Sequence, residues 1–269
     1  MRIEGKKNRI RHCLPVGTPF NGPAIEVRDL NFSINGTPVL KNISFAVDAG
    51  EYLGIIGPNG GGKTTLIKVM LGLIKPDTGS IRYFGHELDC YREKHLIGYV
   101  PQKASETESR FPATVEEVVK SGRTARLGLF KWFSADDRAA VKKAMEIADI
   151  TKLAQKTIGR LSGGERQRTM IARALACEPK ILFMDEPTVA IDVTSQEKFY
   201  DFVEMLNRDM NLTIVVVSHD IAAVAKKVGT VLCLNQEMVC HGKPAQFMKE
   251  EYMEKLYGKK VNLIEHGTH

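Results

Sequence analysis

Gly57-Pro58-Asn59-Gly60-Gly61-Gly62-Lys63-Thr64-Thr65 stands between an apolar run, Tyr52-Leu53-Gly54-Ile55-Ile56, and the helical pattern Leu66-Ile67-Lys68-Val69-Met70-Leu71. Two glycines separated by four residues and followed by Lys and Thr make the phosphate-loop pattern, here between a buried strand and a helix, where it belongs. Glycine is needed because the loop turns its backbone N–H groups inward around phosphate oxygens, in conformations that a Cβ obstructs. Lys63 then brings a point charge to the β- and γ-phosphates, the Thr64 hydroxyl is placed to ligate Mg²⁺, and the helix aims its positive end at the anion. The stretch predicts a nucleoside triphosphate site.

Working outward, residues 1–23 are basic (Lys6, Lys7, Arg9, Arg11) and broken by Pro15, Pro19 and Pro23, which predicts a loose N-terminal extension. From Ala24, apolar residues alternate through Ile25, Val27, Leu30, Phe32 and Ile34 to a turn at Asn35-Gly36, then through Ile43, Phe45 and Val47. This predicts a small antiparallel β layer. Ile181-Leu182-Phe183-Met184 and Leu212-Thr213-Ile214-Val215-Val216-Val217 are unbroken runs of the kind that parallel strands covered on both faces require. A helix from about Ser195 to Arg208 joins them. Between loop and runs, about 103–160 reads as helical, with capping-box starts at Thr114-Val115-Glu116-Glu117 and Ser134-Ala135-Asp136-Asp137. Leu127, Leu129, Phe130, Trp132 and Phe133 in its connecting segment are expected to pack between its helices. The expected fold class is α/β, a P-loop NTPase (RecA-like) core with an antiparallel β subdomain and an inserted helical subdomain. The nucleotide domain spans 24–242, and 243–269 form a C-terminal helix and tail.

A hydrophobic share of 43% against 26% charged is that of an ordinary globular protein, and no window approaches the ~20 apolar residues that span a bilayer. The basic N-terminus lacks the apolar segment of a secretory signal, so a cytosolic location is expected. Five cysteines (Cys13, Cys90, Cys177, Cys233, Cys240) are odd in number and lack ligand spacing, which predicts free, packed thiols. The net charge of +6 suits a solvated basic face first and an anionic membrane surface second.

Asp185-Glu186 follows the apolar run at 181–184 directly. Buried carboxylates are costly unless paired or metal-bound, and beside a phosphate loop Asp185 would hold the Mg²⁺ shell while Glu186 activates a water for in-line attack on the γ-phosphate. Gln102, at the junction of a strand and the helical region, can ligate Mg²⁺ or the attacking water. His219, at the end of Val217-Ser218-His219, can donate to a γ-phosphate oxygen. Leu161-Ser162-Gly163-Gly164-Glu165 opens another helix, with Ser162 as cap and two glycines exposing N–H groups at its positive end, which makes a second anion site. Two phosphate-binding surfaces on one chain predict a head-to-tail dimer with ATP between the phosphate loop of one copy and the Ser162 helix of the other.

In this order and at these spacings, the phosphate loop, Gln102, Leu161 to Glu165, Asp185-Glu186, Asp192 and His219 resemble the nucleotide-binding subunit of an ATP-binding-cassette transporter over about 24–242. The resemblance implies ATP and Mg²⁺ as ligands, with Thr64, Gln102 and Asp185 on the metal and Glu186, His219 and Lys63 in catalysis. It places Asp192 in the loop that crosses the dimer interface and 103–160 against transmembrane permease subunits, at the cytoplasmic face of the membrane. An extracytoplasmic metal-binding protein is an indirect partner, and nucleic acid is not expected. Three positions depart from the family pattern. Ile34 falls where an aromatic usually stacks on adenine, with Phe32 on the same strand face as a substitute. Glu165 replaces the more frequent Gln, and Ala190-Ile191-Asp192 varies the usual small-Leu-Asp. Neither of these last two is expected to remove a phosphate donor.

Gly98 to Lys103, Phe111 to Val119, Gly122-Arg123 and Leu127 to Phe130 are similar to the zinc and manganese uptake branch, and Leu234-Asn235-Gln236 with His241 to Pro244 to its zinc members. The expected function is ATP hydrolysis powering import of a divalent metal ion, zinc foremost, with manganese or iron as alternatives. A cassette ATPase acting on nucleic acid or the ribosome is a further alternative, set against by the absence of a second cassette or a long coiled-coil insertion.

Overall fold

The structure is a computed structural model and describes residues 20–102, 112–127, 132–188, 193–247 and 256. Its larger sheet has six strands in the order β10-β9-β3-β8-β7-β6. β3 (Tyr52–Ile56), β6 (Ile97–Val100), β7 (Ile181–Asp185), β8 (Thr213–Val217) and β9 (Thr230–Asn235) run parallel, and β10 (Glu237–Gly242) is antiparallel at one edge. Every residue of β3, β7 and β8 is buried, as the unbroken apolar runs require. Alternate residues feed two cores. Tyr52, Ile56, Leu182, Met184, Ile214 and Val216 point to one, and Leu53, Ile55, Ile181, Phe183, Val215 and Val217 to the other.

The second core is closed by a four-stranded antiparallel sheet, order β2-β1-β4-β5, with β1 at Ile25–Ile34, β2 at Thr37–Val47, β4 at Thr78–Tyr83 and β5 at His86–Glu87. Asn35 (φ 51°) and Gly36 (φ 78°) join β1 to β2 in a two-residue turn whose positive φ values match the twist of a hairpin. α1 (Lys63–Met70) follows the phosphate loop and lies in this core through Leu66, Ile67, Val69 and Met70.

The first core is closed by helices. α2 (Val115–Leu127) and α3 (Ala135–Ile147) form the helical subdomain against α4 (Gly163–Leu175), while α5 (Val193–Met210) connects β7 to β8 and α6 (Ile221–Ala225) connects β8 to β9. The predicted capping pairs are present: Glu117 accepts from the Thr114 amide at 2.8 Å, and Ser134 and Asp137 cap each other. A short helix, α7 (Pro244–Phe247), follows β10. No helix among the described residues is long and apolar enough to cross a membrane.

Two expectations need correction. Trp132 does not pack between the helices. It is 94% exposed, whereas Phe133 beside it packs on the core. Leu129 and Phe130 lie outside the described residues. The thiols are not all free either. Cys233 and Cys240 are joined as a disulfide and Cys90 is disulfide-bonded, leaving Cys177 as the free cysteine among the described residues. Seven residues of sequence separation conceal a hairpin that puts Cys233 opposite Cys240 in the β9–β10 register.

Candidate functional site

β3 lies between β8 and β9, so the chain leaving its C-terminal end enters the crevice where the connections diverge, the usual ligand position in a parallel sheet. The phosphate loop occupies this place. Gly57 (φ 155°) passes so close to β9 that a Cβ on it would stand 1.9 Å from the Leu234 carbonyl oxygen, and one on Gly62 (φ 93°) would meet the Val39 carbonyl oxygen at 2.9 Å. No L side chain fits either point without moving backbone. The tip of the β9–β10 hairpin backs the loop: the Gln236 amide donates to the Gly61 carbonyl at 2.9 Å, and the Lys41 amide donates to the Gln236 carbonyl at 2.8 Å.

Lys63 begins α1 and is 5% exposed. Its ammonium donates to the Gly57 and Pro58 carbonyls at 2.8 and 3.0 Å, so it lies across the loop's own concavity. Burial pushes its pKa down, opposed by the charges of Glu186 and Asp185. Thr64 Oγ1 donates to Asp185 Oδ1 at 3.2 Å. Asp185, the last residue of β7, is 1% exposed, and burial raises its pKa against the Thr64 hydrogen bond. A hydroxyl and a buried carboxylate side by side form a hard oxygen set that fits Mg²⁺, an ion that combines one or two such ligands with water and phosphate oxygens.

Glu186 has a left-handed backbone (φ 45°), fixed by its amide donating to the Val217 carbonyl at 2.9 Å. This turn takes the side chain off the strand axis and into the loop cavity. Gln102 Nε2 donates to Glu186 Oε2 at 2.8 Å, and His219 Nδ1 stands 3.8 Å from the same oxygen. Val39, Asn59, Gly60, Gly62, Lys63, Thr64, Thr65 and Glu186 line an open cavity of about 160 Å³. Three strand ends far apart in sequence thus deliver Gln102, Asp185-Glu186 and His219 to one place. Val39 was not singled out from sequence, and Leu234 and Gln236 only for a likeness to zinc-branch relatives, because their contributions to the loop are a backbone wall and a cavity face, and Val39 and Leu234 look like ordinary strand residues.

The Ser162 helix start is built separately and does not line that cavity. Ser162 caps α4, accepting from the Glu165 amide at 3.3 Å, while Glu165 Oε2 accepts from the Ser162 amide at 2.7 Å. This capping box uses the Ser162 and Glu165 N–H groups, not those of Gly163 and Gly164 that are expected to meet phosphate. In this chain the Ser162 N–H is engaged by an anionic side chain, whose pKa is lowered first by that backbone hydrogen bond. Lys156, 3.3 Å from Glu165, balances the charge. Gly164 has open space around it.

Ile34 is 51% exposed at the tip of the β1–β2 hairpin, and Phe32, the expected substitute, is engaged in packing on the core. Its cross-strand partner Leu40 belongs to that same core, and Phe32 itself is half-buried. Asp192 lies outside the described residues.

A family model described as ABC transporter matches residues 40–189. The zinc uptake system ATP-binding protein ZurA of Listeria innocua is 40% identical over 223 residues, 83% of this chain and 87% of that protein. The manganese transport system ATP-binding protein MntB of Halalkalibacterium halodurans is 38% identical over 235 residues, 87% of this chain and 92% of that protein. Among solved structures, cbiO1 from Clostridium perfringens, part of the ABC transporter complex cbiONQ, superposes with a TM-score of 0.76 at 28% identity, covering 87% of this chain and 94% of that one. The fold, the phosphate loop and these similarities converge: the chain belongs to the ABC transporter family, as an ATP-binding ATPase subunit.

Proposed function

We propose that this chain hydrolyses ATP to drive uptake of a divalent metal ion, zinc foremost, as a peripheral subunit at the cytoplasmic face of a membrane permease. The observation that carries the chemistry is the meeting of Thr64, Asp185, Glu186 and Gln102 at the mouth of the phosphate loop. Lys63 would leave the Gly57 and Pro58 carbonyls for the β- and γ-phosphates, exchanging neutral acceptors for anionic ones. Thr64, Asp185 and Gln102 would hold Mg²⁺, which screens phosphate charge when bound. Glu186, held by Gln102 and beside His219, is placed to take the proton of a water attacking in line, and His219 to donate to a γ-phosphate oxygen.

The exposed second anion site supports a head-to-tail pair in which Ser162, Gly163 and Gly164 of one copy close on the triphosphate held by the other, with Asp192 at the interface. ATP drives closure only by binding the closed pair more tightly than the open one. The helical subdomain, with Trp132 projecting from it, suits docking on the permease, and an extracytoplasmic metal-binding protein would deliver the ion. Zinc is favoured by the zinc-named relatives and by the Leu234 to Gln236 and His241 to Pro244 stretches. The manganese-named relative at 38% identity makes manganese the second reading. Reconstituting the chain with its permease in vesicles and measuring which ion is taken up on ATP addition tests the assignment. Zinc uptake is expected, and uptake of manganese alone would transfer it to the second reading.

A further inference from the structure

One charged side chain buried outside the nucleotide site joins three elements. Arg123, in the third turn of α2, has a side chain only 6% exposed. Its Nε donates to Asp137 Oδ1 at 2.8 Å on α3, where Asp137 also closes the capping box with Ser134. Its Nη1 donates to the Ala176 carbonyl at 2.9 Å, at the end of α4, and to Glu178 Oε2 at 2.8 Å, in the turn that leads to β7. Arg126, one turn further along α2, pairs with the same Glu178 carboxylate.

The neighbouring backbone is equally constrained. A Cβ on Gly122 would stand 1.9 Å from the Arg173 carbonyl oxygen, so α2 and α4 touch main chain to main chain. Cys177 Sγ lies 2.7 Å from the Gly122 carbonyl oxygen on the same contact. Arg123 therefore sits where the helical subdomain meets a helix whose far end is Ser162 and a strand whose far end is Asp185-Glu186. A planar guanidinium reaches acceptors in two directions at once, which an ammonium on a flexible stem does not. At a helix C-terminus its charge also meets the negative end of the dipole.

We propose that Arg123 is a positioning residue of the ATPase cycle: it makes α2, α3 and α4 move as one body, so that displacement of the helical subdomain reaches the Ser162 end and does not dissipate at the α2–α4 contact. This rests on the two-sided ATP site proposed above. Arg123 touches no lining residue of the phosphate cavity, so it acts on closure and turnover and leaves the first capture of nucleotide alone.

The test uses the purified full chain and compares wild type, Arg123→Lys, Glu178→Gln and Glu186→Gln. Arg123→Lys keeps the charge and loses the fork. It is expected to bind a fluorescent ATP analogue at wild-type stoichiometry and within about twofold of wild-type affinity while kcat falls about tenfold or more and KM changes little; loss of folded protein would instead lower kcat and the binding stoichiometry together. Glu178→Gln, at a half-exposed side chain, is expected to lose about threefold in kcat, and it decides the matter should Arg123→Lys fail to fold. Wild-type kcat in a folded Arg123→Lys, or in Glu178→Gln where the lysine variant does not fold, beside an inactive Glu186→Gln overturns the proposal and leaves the two-sided site standing. Wild-type turnover by Glu186→Gln overturns the reading of the site, and the proposal with it.

Discussion

The chain presents two helix N-termini to phosphate, and they are built in opposite ways. The one at Lys63 is finished within the monomer. Its loop is walled by the Leu234 carbonyl, tied to Gln236, and supplied with a buried lysine, a hydroxyl and a carboxylate. The one at Ser162 lies on the surface, with its own capping box, Lys156 beside Glu165 and open space around Gly164. A helix end buried without partners would be costly, and an exposed one is not, so the second end can wait for a ligand. On the proposed head-to-tail reading, the difference makes ATP capture and ATP enclosure separate events, the first encoded in one chain's packing and the second deferred to an encounter.

The comparison breaks most visibly at Glu186. Glu186→Gln should lower hydrolysis by roughly 10²- to 10⁴-fold, the range for loss of a general base, while Mg-ATP binding and ATP-dependent dimerisation persist in light scattering. Turnover at the wild-type rate would remove this residue from the chemistry. Lys63→Ala removes charge-assisted contacts of about 1.5–3 kcal/mol and should weaken ATP binding about 10- to 100-fold by fluorescence titration. Unchanged affinity would mean that the finished end is not where phosphate binds.

Ser162→Ala sharpens the contrast from the other side. The monomer should still bind ATP within about twofold, helix α4 should lose on the order of 1 kcal/mol from its cap, and ATP-driven dimerisation and turnover should fall about tenfold. Equal loss of binding in the monomer would place both ends in one site. The smallest effect concerns the helical subdomain. Ser134 and Arg123 hold the Asp137 carboxyl well below its usual range, at about 2, so its stabilising contribution is complete above about pH 4 and is lost as pH falls toward 2. Asp137→Asn should flatten that acid limb in thermal melts taken between pH 2 and 5, and an unaltered limb would detach Asp137 from subdomain stability.

Much of this was legible along the chain because local physics writes local signals. The glycine spacing of residues 57–62, the unbroken apolar runs before Asp185 and His219, and the capping pairs at Thr114, Ser134 and Ser162 each follow from a conformation needed within a few residues. The same locality misled where neighbours in space decide. Trp132 reads as core by its chemistry, yet it is 94% exposed while Phe133 beside it packs on the core. Cys233 and Cys240 read as scattered, yet a hairpin joins them.

The sequence by itself determined which groups the protein carries and the order of its strands and helices, because the dihedral demands of glycine, the periodicity of apolar residues and the geometry of caps act over a turn or two. Only the tertiary structure decided that Gln102 and His219 meet Glu186 beside the phosphate loop, that Leu234 and Gln236 wall the loop, and that Arg123 joins three elements. Those relations depend on which strand lies beside which, and the long connections between strands leave no trace of that in spacing.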